Sequence, residues 1–498
     1  MKERIRKFRE IIKEKKTLDA MNTIITWDME TVASPKNAEL TSQIIGDISM
    51  RSYNLIVSEE MKSLLHFFSD TKSKLNKTLK KEVELLSEEM ETMEIIPPKE
   101  YREYTELVAK SHSVWLESKS KNDFSIFRKN LEKIFDINKK FAKYEQKLEK
   151  NKDKKIYDIL LNHYEKGMNM AKLDIFFQSL KDEIVPLLKI VLKNQAKNNI
   201  KIEKVDKNTQ RDFSRYVSEY LGFDFKSGAM GESEHPFTTS INKNDVRFTT
   251  KYIESDPISA LFSTIHETGH GIYEQQIGDN LVDTILETGG SMGLHESQSR
   301  FYENVIGRSK SFWKGLKKSK KLYSQLDKIK IDDLYKLMNK VERSPVRIEA
   351  DELTYPLHIM VRYEIEKEIC EDKINIKNLP EIWNEKMKKY LGIIPKNLSQ
   401  GVLQDVHWSA GLIGYFPSYA IGSAYASQIC NAMRKDLDLE SLLENGQLDI
   451  IQNWLKEKIH KYGLLKDTGE IIKKVTGEEL NPKYYIDYLK EKYLGLNK

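Results

Sequence analysis

From Gly46 to Gly167 the chain has no intervening glycine, and Leu, Ile and Phe recur among Lys and Glu at helical spacing. Most of these residues favour helix and few break it, so the interval predicts long helices. Pro97-Pro98 interrupts the run and predicts a turn between two of them. Residues 193–210, rich in Lys and Asn, read as a loop or a boundary between lobes. Beyond them glycine, proline, histidine and aromatics become frequent, and from about Asp436 the pattern returns to Lys-rich helix. One stretch, Asp245-Val246-Arg247-Phe248-Thr249-Thr250, alternates large apolar with polar groups and predicts a short strand. In a helical chain such a strand can offer an exposed edge to an extended peptide or pack onto the core. The pattern supports both readings equally. The expected architecture is mainly α with a small β element. Residues 1–205 supply long helices, 206–435 the compact polar motifs, and 436–498 the C-terminal helices.

Bulk properties narrow the class. A chain of 498 residues can bury one large core or a few smaller ones. Although 32% of residues are charged, the formal net charge is only +5, with Lys spread beside Glu. A nucleic-acid binder would show a localised basic excess, so none is expected. Two cysteines, Cys370 and Cys430, are too few for a disulfide framework and suit a reducing compartment. No apolar run follows the charged N-terminus as in a secretory signal, and no stretch of 18 apolar residues predicts a membrane span. The expectation is a cytoplasmic protein.

The strongest chemistry lies in residues 256–276. Asp256 can cap a helix and Pro257 fits its first position, where a missing N–H costs nothing. Ile258, Leu261, Phe262, Ile265 and Ile272 form one buried stripe, with His266 and His270 at its edge. Four residues apart, the two imidazoles lie one turn from each other and can reach one ion. Glu267 points about 100° away from His266, beside the ion's water and not at the ion. This is a His-Glu-x-x-His arrangement: two neutral imidazoles and a carboxylate hold a cation with one position left for water, and the glutamate takes the water's proton. Gly269 and Gly271 each cost about 1 kcal/mol inside a helix, which predicts close approach of a backbone or a ligand at this turn.

A third ligand is available downstream. After the loop Thr288-Gly289-Gly290-Ser291, read as flexible, a helix is expected to carry His295-Glu296-Ser297-Gln298, with Glu296 standing 26 residues beyond His270. Tyr273 and Gln276 occupy the positions where a longer metzincin pattern needs Gly and His, so that branch is excluded. Glu287 and His295 are weaker ligand candidates, and Glu274 is expected to orient His270.

Read together, six motifs in order resemble the carboxypeptidase Taq family of thermostable metallocarboxypeptidases. They are His235-Pro236-Phe237, Asp245-Val246-Arg247-Phe248-Thr249, the metal helix, His295-Glu296-Ser297-Gln298, Val346-Arg347-Ile348-Glu349-Ala350-Asp351 and Gly401-Val402-Leu403-Gln404-Asp405-Val406-His407-Trp408. They span roughly residues 230 to 425, and Trp27-Asp28 fits the family's N-terminal region less distinctively. Val346 stands where many relatives carry isoleucine. The resemblance implies a two-lobed helical protein with a deep groove and a small β-sheet near the active site, normally a homodimer. It implies release of single C-terminal residues with broad tolerance, and one zinc or cobalt ion per subunit on His266, His270 and Glu296. Arg347 is then the expected partner of the substrate carboxylate, unless it pairs with Asp351 one turn on. His407 and Tyr419 are candidate oxyanion donors, or else packing residues. Asp245 and Arg247 are expected at the strand edge or groove wall, His235 behind the strand, and Gln404 and Asp405 around the site. Alternatives are a related oligopeptidase or dipeptidyl carboxypeptidase, or a non-catalytic helical metal-binding scaffold.

Overall fold

The computed structural model describes residues 1–195, 200 and 202–496, with the side chain of Pro35 left out. The glycine-free interval is helical as expected. Helices α1 (Lys2–Thr31), α2 (Ala38–Ile56), α3 (Glu59–Asp70) and α4 (Lys77–Ile95) are followed by α5 (Pro98–Lys121), α6 (Phe124–Glu145), α7 (Ile156–Asn162) and α8 (Met170–Asn194). Pro98 is the first residue of α5, where proline's fixed φ suits a helix start. Asp206 caps α9 (Lys207–Leu221) by accepting from Thr209 N–H at 3.0 Å. The reading of 193–210 as a loop is therefore corrected at both ends, while 196–199 and 201 lie outside the described residues.

Helices α1–α4 enclose a small core built on Phe8, Ile12, Met61, Leu65, Phe68 and Leu86. A much larger core runs from Trp115 in α5 to the C-terminal helix Pro482–Gly495. The two are joined through α1, whose Trp27 ring meets Phe237 edge-on at 5.7 Å. Lys16 of α1 also pairs with Glu287. Beside this contact a cavity of about 190 Å³ is walled by Lys15, Asp19, Thr23, Ser240 and Glu274. Both cysteines are free and buried. Among the described residues no helix is long and apolar enough to cross a membrane.

Three strands form one sheet: β1 (Gly228–Glu232), β2 (Thr238–Asn242) and β3 (Asp245–Thr250), in the order β1-β3-β2. β1 runs parallel to β3 and β2 antiparallel to it. Asp245–Thr250 is thus the central strand and presents no free edge, which corrects one of the two readings of that motif. Its Val246 and Phe248 are fully buried. The edge nearest the chemistry belongs to β2.

Candidate metal centre

Helix α10 (Pro257–Gln275) starts as its sequence requires, with Asp256 accepting from Ser259 N–H and Pro257 at the first position. It is crossed by α11 (Met292–Arg300), capped by Ser291. The crossing is close enough that a Cβ on Gly269 would lie 2.8 Å from the Cα of Ser299 and 2.9 Å from the carbonyl oxygen of Gln298. Glycine at 269 is the condition for bringing Glu296 over the two histidines. On the other side, a Cβ on Gly422 in the helix Pro417–Asp436 would fall 2.7 Å from the Cβ of Glu296, so a second glycine seats the same residue.

The three expected ligands converge. Glu296 Oε2 lies 3.6 Å from His266 Nε2 and 3.5 Å from His270 Nε2, and all three donor atoms fall within 4.8 Å of one another. Ligands held about 2 Å from a zinc-type ion at tetrahedral angles stand a little over 3 Å apart, so the donor set fits a divalent cation. Burial drives the His270 imidazole down to about 3, the neutral form a ligand needs. Burial would raise Glu296, but Arg300, His266 and His270 outweigh it and hold the carboxylate ionised.

Each ligand is held from behind. His266 Nδ1 is 2.9 Å from Glu303 Oε2, so it donates there and leaves Nε2 bare for the ion. Glu303 sits in a π-helical segment, Phe301–Gly307, that continues α11. Spaced at i, i+4 and i+7, Glu296, Arg300 and Glu303 fall on one side of the continuous helix. Arg300 Nε donates to Glu296 Oε1 at 2.7 Å and its Nη1 to Glu303 Oε2 at 3.1 Å, while Arg308 Nη2 donates to Glu303 Oε1 at 3.0 Å.

Behind His270 the expectation needs correcting: Glu274 is hydrogen-bonded to it only through His295. His270 Nδ1 is 2.6 Å from His295 Nδ1, and His295 Nε2 is 2.9 Å from Glu274 Oε1. With Nε2 of His270 kept for the ion, its Nδ1–H donates to His295 Nδ1, whose Nε2–H donates to Glu274. One proton arrangement satisfies the whole row, so His295 is a spacer and not a ligand. Replacing His295 with alanine is expected to weaken metal affinity about 10- to 100-fold while the fold persists, measured by competition against a chelating dye. The Thr288-Gly289-Gly290-Ser291 loop is pinned, not flexible: Gly289 N–H donates to Glu274 Oε1, Gly290 N–H to Tyr273 Oη and Ser291 N–H to Thr468 Oγ1. A Cβ at 289 would strike the His295 ring at 2.6 Å, so its glycines serve packing. Glu287 is engaged with Lys16, away from the ligand set.

Glu267 lies beside the ligands, and its Oε2 accepts from Thr238 Oγ1 at 2.6 Å. Burial raises its carboxyl above the ordinary value, with His266 and Thr238 opposing.

The remaining motifs assemble a second cluster that reaches this one through Arg300. The Arg300 guanidinium lies 4.2 Å above the Tyr355 ring, and Tyr355 Oη accepts from Arg347 Nη1 at 3.2 Å. The alternative pairing of Arg347 with Asp351 is absent: Arg347 Nε donates to Asp405 Oδ1 at 2.9 Å. Asp351 instead accepts from Thr354 Oγ1 and three backbone N–H groups, leading into the helix Tyr355–Cys370. Gln404 Oε1 receives Arg347 N–H and Arg362 Nη2, both at 2.8 Å, and Arg362 also grips Asp405 Oδ2. Tyr419 lies 5.0 Å from the Arg347 guanidinium, with its hydroxyl 3.0 Å from His407 Nε2. Burial and the Glu296 charge push neighbouring Tyr415 up to about 12.

Three expected residues stand apart from both clusters. His235 is exposed. Arg247 pairs with Asp245 on the face of β3 towards Trp27.

Comparison with known sequences and folds agrees with this geometry. The profile of the carboxypeptidase Taq (M32) metallopeptidases matches residues 7–493. The chain belongs to that family. It is 43% identical over 478 residues to carboxypeptidase 1 of Bacillus subtilis, covering 95% of this chain and 94% of that one. To thermostable carboxypeptidase 1 of Pyrococcus furiosus it is 34% identical, covering 95% of each. Among solved structures, the M32 carboxypeptidase of Deinococcus radiodurans R1 superposes with a TM-score of 0.95 at 30% identity, covering 99% of both chains. The chain is an M32 metallocarboxypeptidase with the family's helical fold, and M32 membership implies a divalent metal. Arg300, Glu303, Tyr355, Arg362 and Thr238 were not singled out from the sequence. For Arg300 and Glu303 a signal was there, since charged residues continuing the helix of a ligand are placed to support it.

Proposed function

We propose that the chain releases single C-terminal amino acids from peptides with a free carboxylate, with broad side-chain tolerance. Zinc or cobalt would sit on His266, His270 and Glu296, and Glu267 is the general base. What carries the reading is the convergence of Nε2, Nε2 and Oε2 with the Glu267 carboxylate beside them. A pure binding scaffold has no use for that second carboxylate, raised by burial and held beside the ligands. The divalent ion, when bound, supplies Lewis-acid activation of a water and of the scissile carbonyl.

The chain's own groups do the rest. Glu267 accepts the water's proton and passes it to the leaving amine. Arg347, anchored by Asp405 and Tyr355, receives the substrate's α-carboxylate. His407 is held neutral because burial and Arg347 lower it to about 3. With its proton on Nε2 it donates to Tyr419 Oη, which frees the phenolic proton for a developing oxyanion.

Incubating the metal-loaded protein with one short peptide, unblocked and C-terminally amidated, tests this. Successive free C-terminal residues are expected from the first, and only slow release of the terminal residue as its amide from the second. Chelator should abolish release, and zinc or cobalt should restore it. Dipeptide products or internal cuts would reassign the chain to a dipeptidyl carboxypeptidase or an oligopeptidase.

A further inference from the structure

Two sequence motifs, His235-Pro236-Phe237 and Asp245-Val246-Arg247-Phe248-Thr249, contribute no ligand and no direct substrate contact in the reading above, yet the structure ties them to one atom of the site. Thr249, fully buried in β3, receives Phe237 N–H on its hydroxyl at 3.1 Å, and its own N–H donates to the Phe237 carbonyl at 2.9 Å. Ser233 closes the turn, with its hydroxyl 2.6 Å from Thr249 Oγ1 and 2.8 Å from the His235 carbonyl oxygen. Trp27 packs edge-on against the Phe237 ring. The backbone at Phe237 is therefore held on both its N–H and its C=O, and the next residue is Thr238.

Thr238 is the first residue of β2, in register with Phe248 of β3. Its hydroxyl lies 2.6 Å from Glu267 Oε2 and 3.1 Å from the Glu267 carbonyl oxygen. A hydroxyl has one proton, and the shorter contact to the charged acceptor takes it. Among the described residues, Glu267 Oε1 accepts no hydrogen bond. One carboxylate oxygen is thus occupied by a donor fixed to the sheet and the other is left open.

We propose that Thr238 is a positioning residue for catalysis: by donating to Oε2 it fixes the Glu267 carboxylate and leaves Oε1 as its single basic oxygen. The two motifs then have a common task, which is to deliver that hydroxyl from the edge strand to the base. This rests on the reading of Glu267 as the general base. Without Thr238 a buried carboxylate can rotate about its last bond, and the fraction of time spent in the reactive pose falls.

The test uses full-length, metal-loaded protein carrying Thr238→Val, Thr238→Ser, Glu267→Gln, and Thr238→Val with Glu267→Gln. Valine keeps the shape and removes the donor, and is expected to lower kcat about 10- to 100-fold, the weight of a hydrogen bond to a charged group. KM and metal content should stay within about twofold of the parent protein, and serine, which keeps the hydroxyl, should recover most of the rate. In the double variant the valine should cost nothing beyond Glu267→Gln alone, because its effect passes through that carboxylate. A loss by valine that appears in KM or metal content, a serine no better than valine, or a full additional loss in the double variant each overturns the positioning role. An active Glu267→Gln overturns the base assignment itself, and is read from that single variant independently of Thr238.

Discussion

Glu267→Gln is expected to leave metal stoichiometry and affinity within about twofold of the parent protein while kcat falls by about 10²- to 10⁴-fold. The substitution is almost isosteric in a tightly filled place: Glu267 is 7% exposed and lies next to His266 on α10. The amide oxygen can still accept from Thr238, so the strand-to-helix contact survives. None of the three ligands depends on Glu267, because each is held by Glu303, by His295 or by Arg300. What disappears is a basic oxygen at a position where burial has already raised the carboxyl towards the range useful for proton transfer. Steady-state kinetics on an unblocked peptide, together with metal analysis of the same preparation, measure both halves. Loss of metal along with activity would place Glu267 in the ligand framework, and retained turnover would move the base elsewhere.

What the sequence disclosed about this site depended on how local each feature is. The α10 helix was legible from its cap, its proline and its 3.6-residue stripe, all of which act within the segment. Gly269 was legible as a sign of close approach, although the neighbour, the backbone of Ser299, was not. Glu296 could be chosen over its rivals because glutamate on a later helix completes such a ligand set. His295 was rightly ranked below Glu296 as a ligand, but its place between His270 and Glu274 was not foreseen, for a geometric reason. It stands one residue from Glu296 and points elsewhere on α11, as expected, yet an imidazole has two faces, and it meets His270 on the side away from the ion. Glu303 stands seven residues beyond Glu296, on the helical face that Arg300 shares at four, so its spacing was legible, but nothing local set it apart from an ordinary charged surface position. The central place of β3 and the route from Thr249 through Phe237 to Thr238 rest on strand order and register, which arise from pairing between segments. Arg362 reads in sequence as one more helical arginine, and only its burial beside Asp405 reveals it.

For Arg347 the expected result is selective loss. Arg347→Ala should lower kcat/KM on peptides with a free C-terminus about 10²- to 10³-fold, the scale of breaking a buried charge-assisted contact. On C-terminally amidated peptides the change should be small, since these offer no carboxylate to lose. Arg347 is 7% exposed and its guanidinium is held on two sides, Nε by Asp405 and Nη1 by the Tyr355 hydroxyl. Among the described residues Nη2 makes no hydrogen bond, so part of the planar fork remains for a ligand whose orientation it can dictate. Truncating a buried arginine usually strands its carboxylate, at a cost of several kcal/mol. Here it does not, because Arg362 grips Asp405 Oδ2 with two nitrogens and keeps it compensated. The fold should therefore survive, and a thermal melt of the variant checks this. Arg347→Lys should recover only part of the loss, because an ammonium cannot hold Asp405, Tyr355 and a carboxylate in one plane. An equal loss on free and amidated peptides would show that Arg347 braces the Asp405 cluster without reading the substrate's end, and the carboxylate would then need another cation.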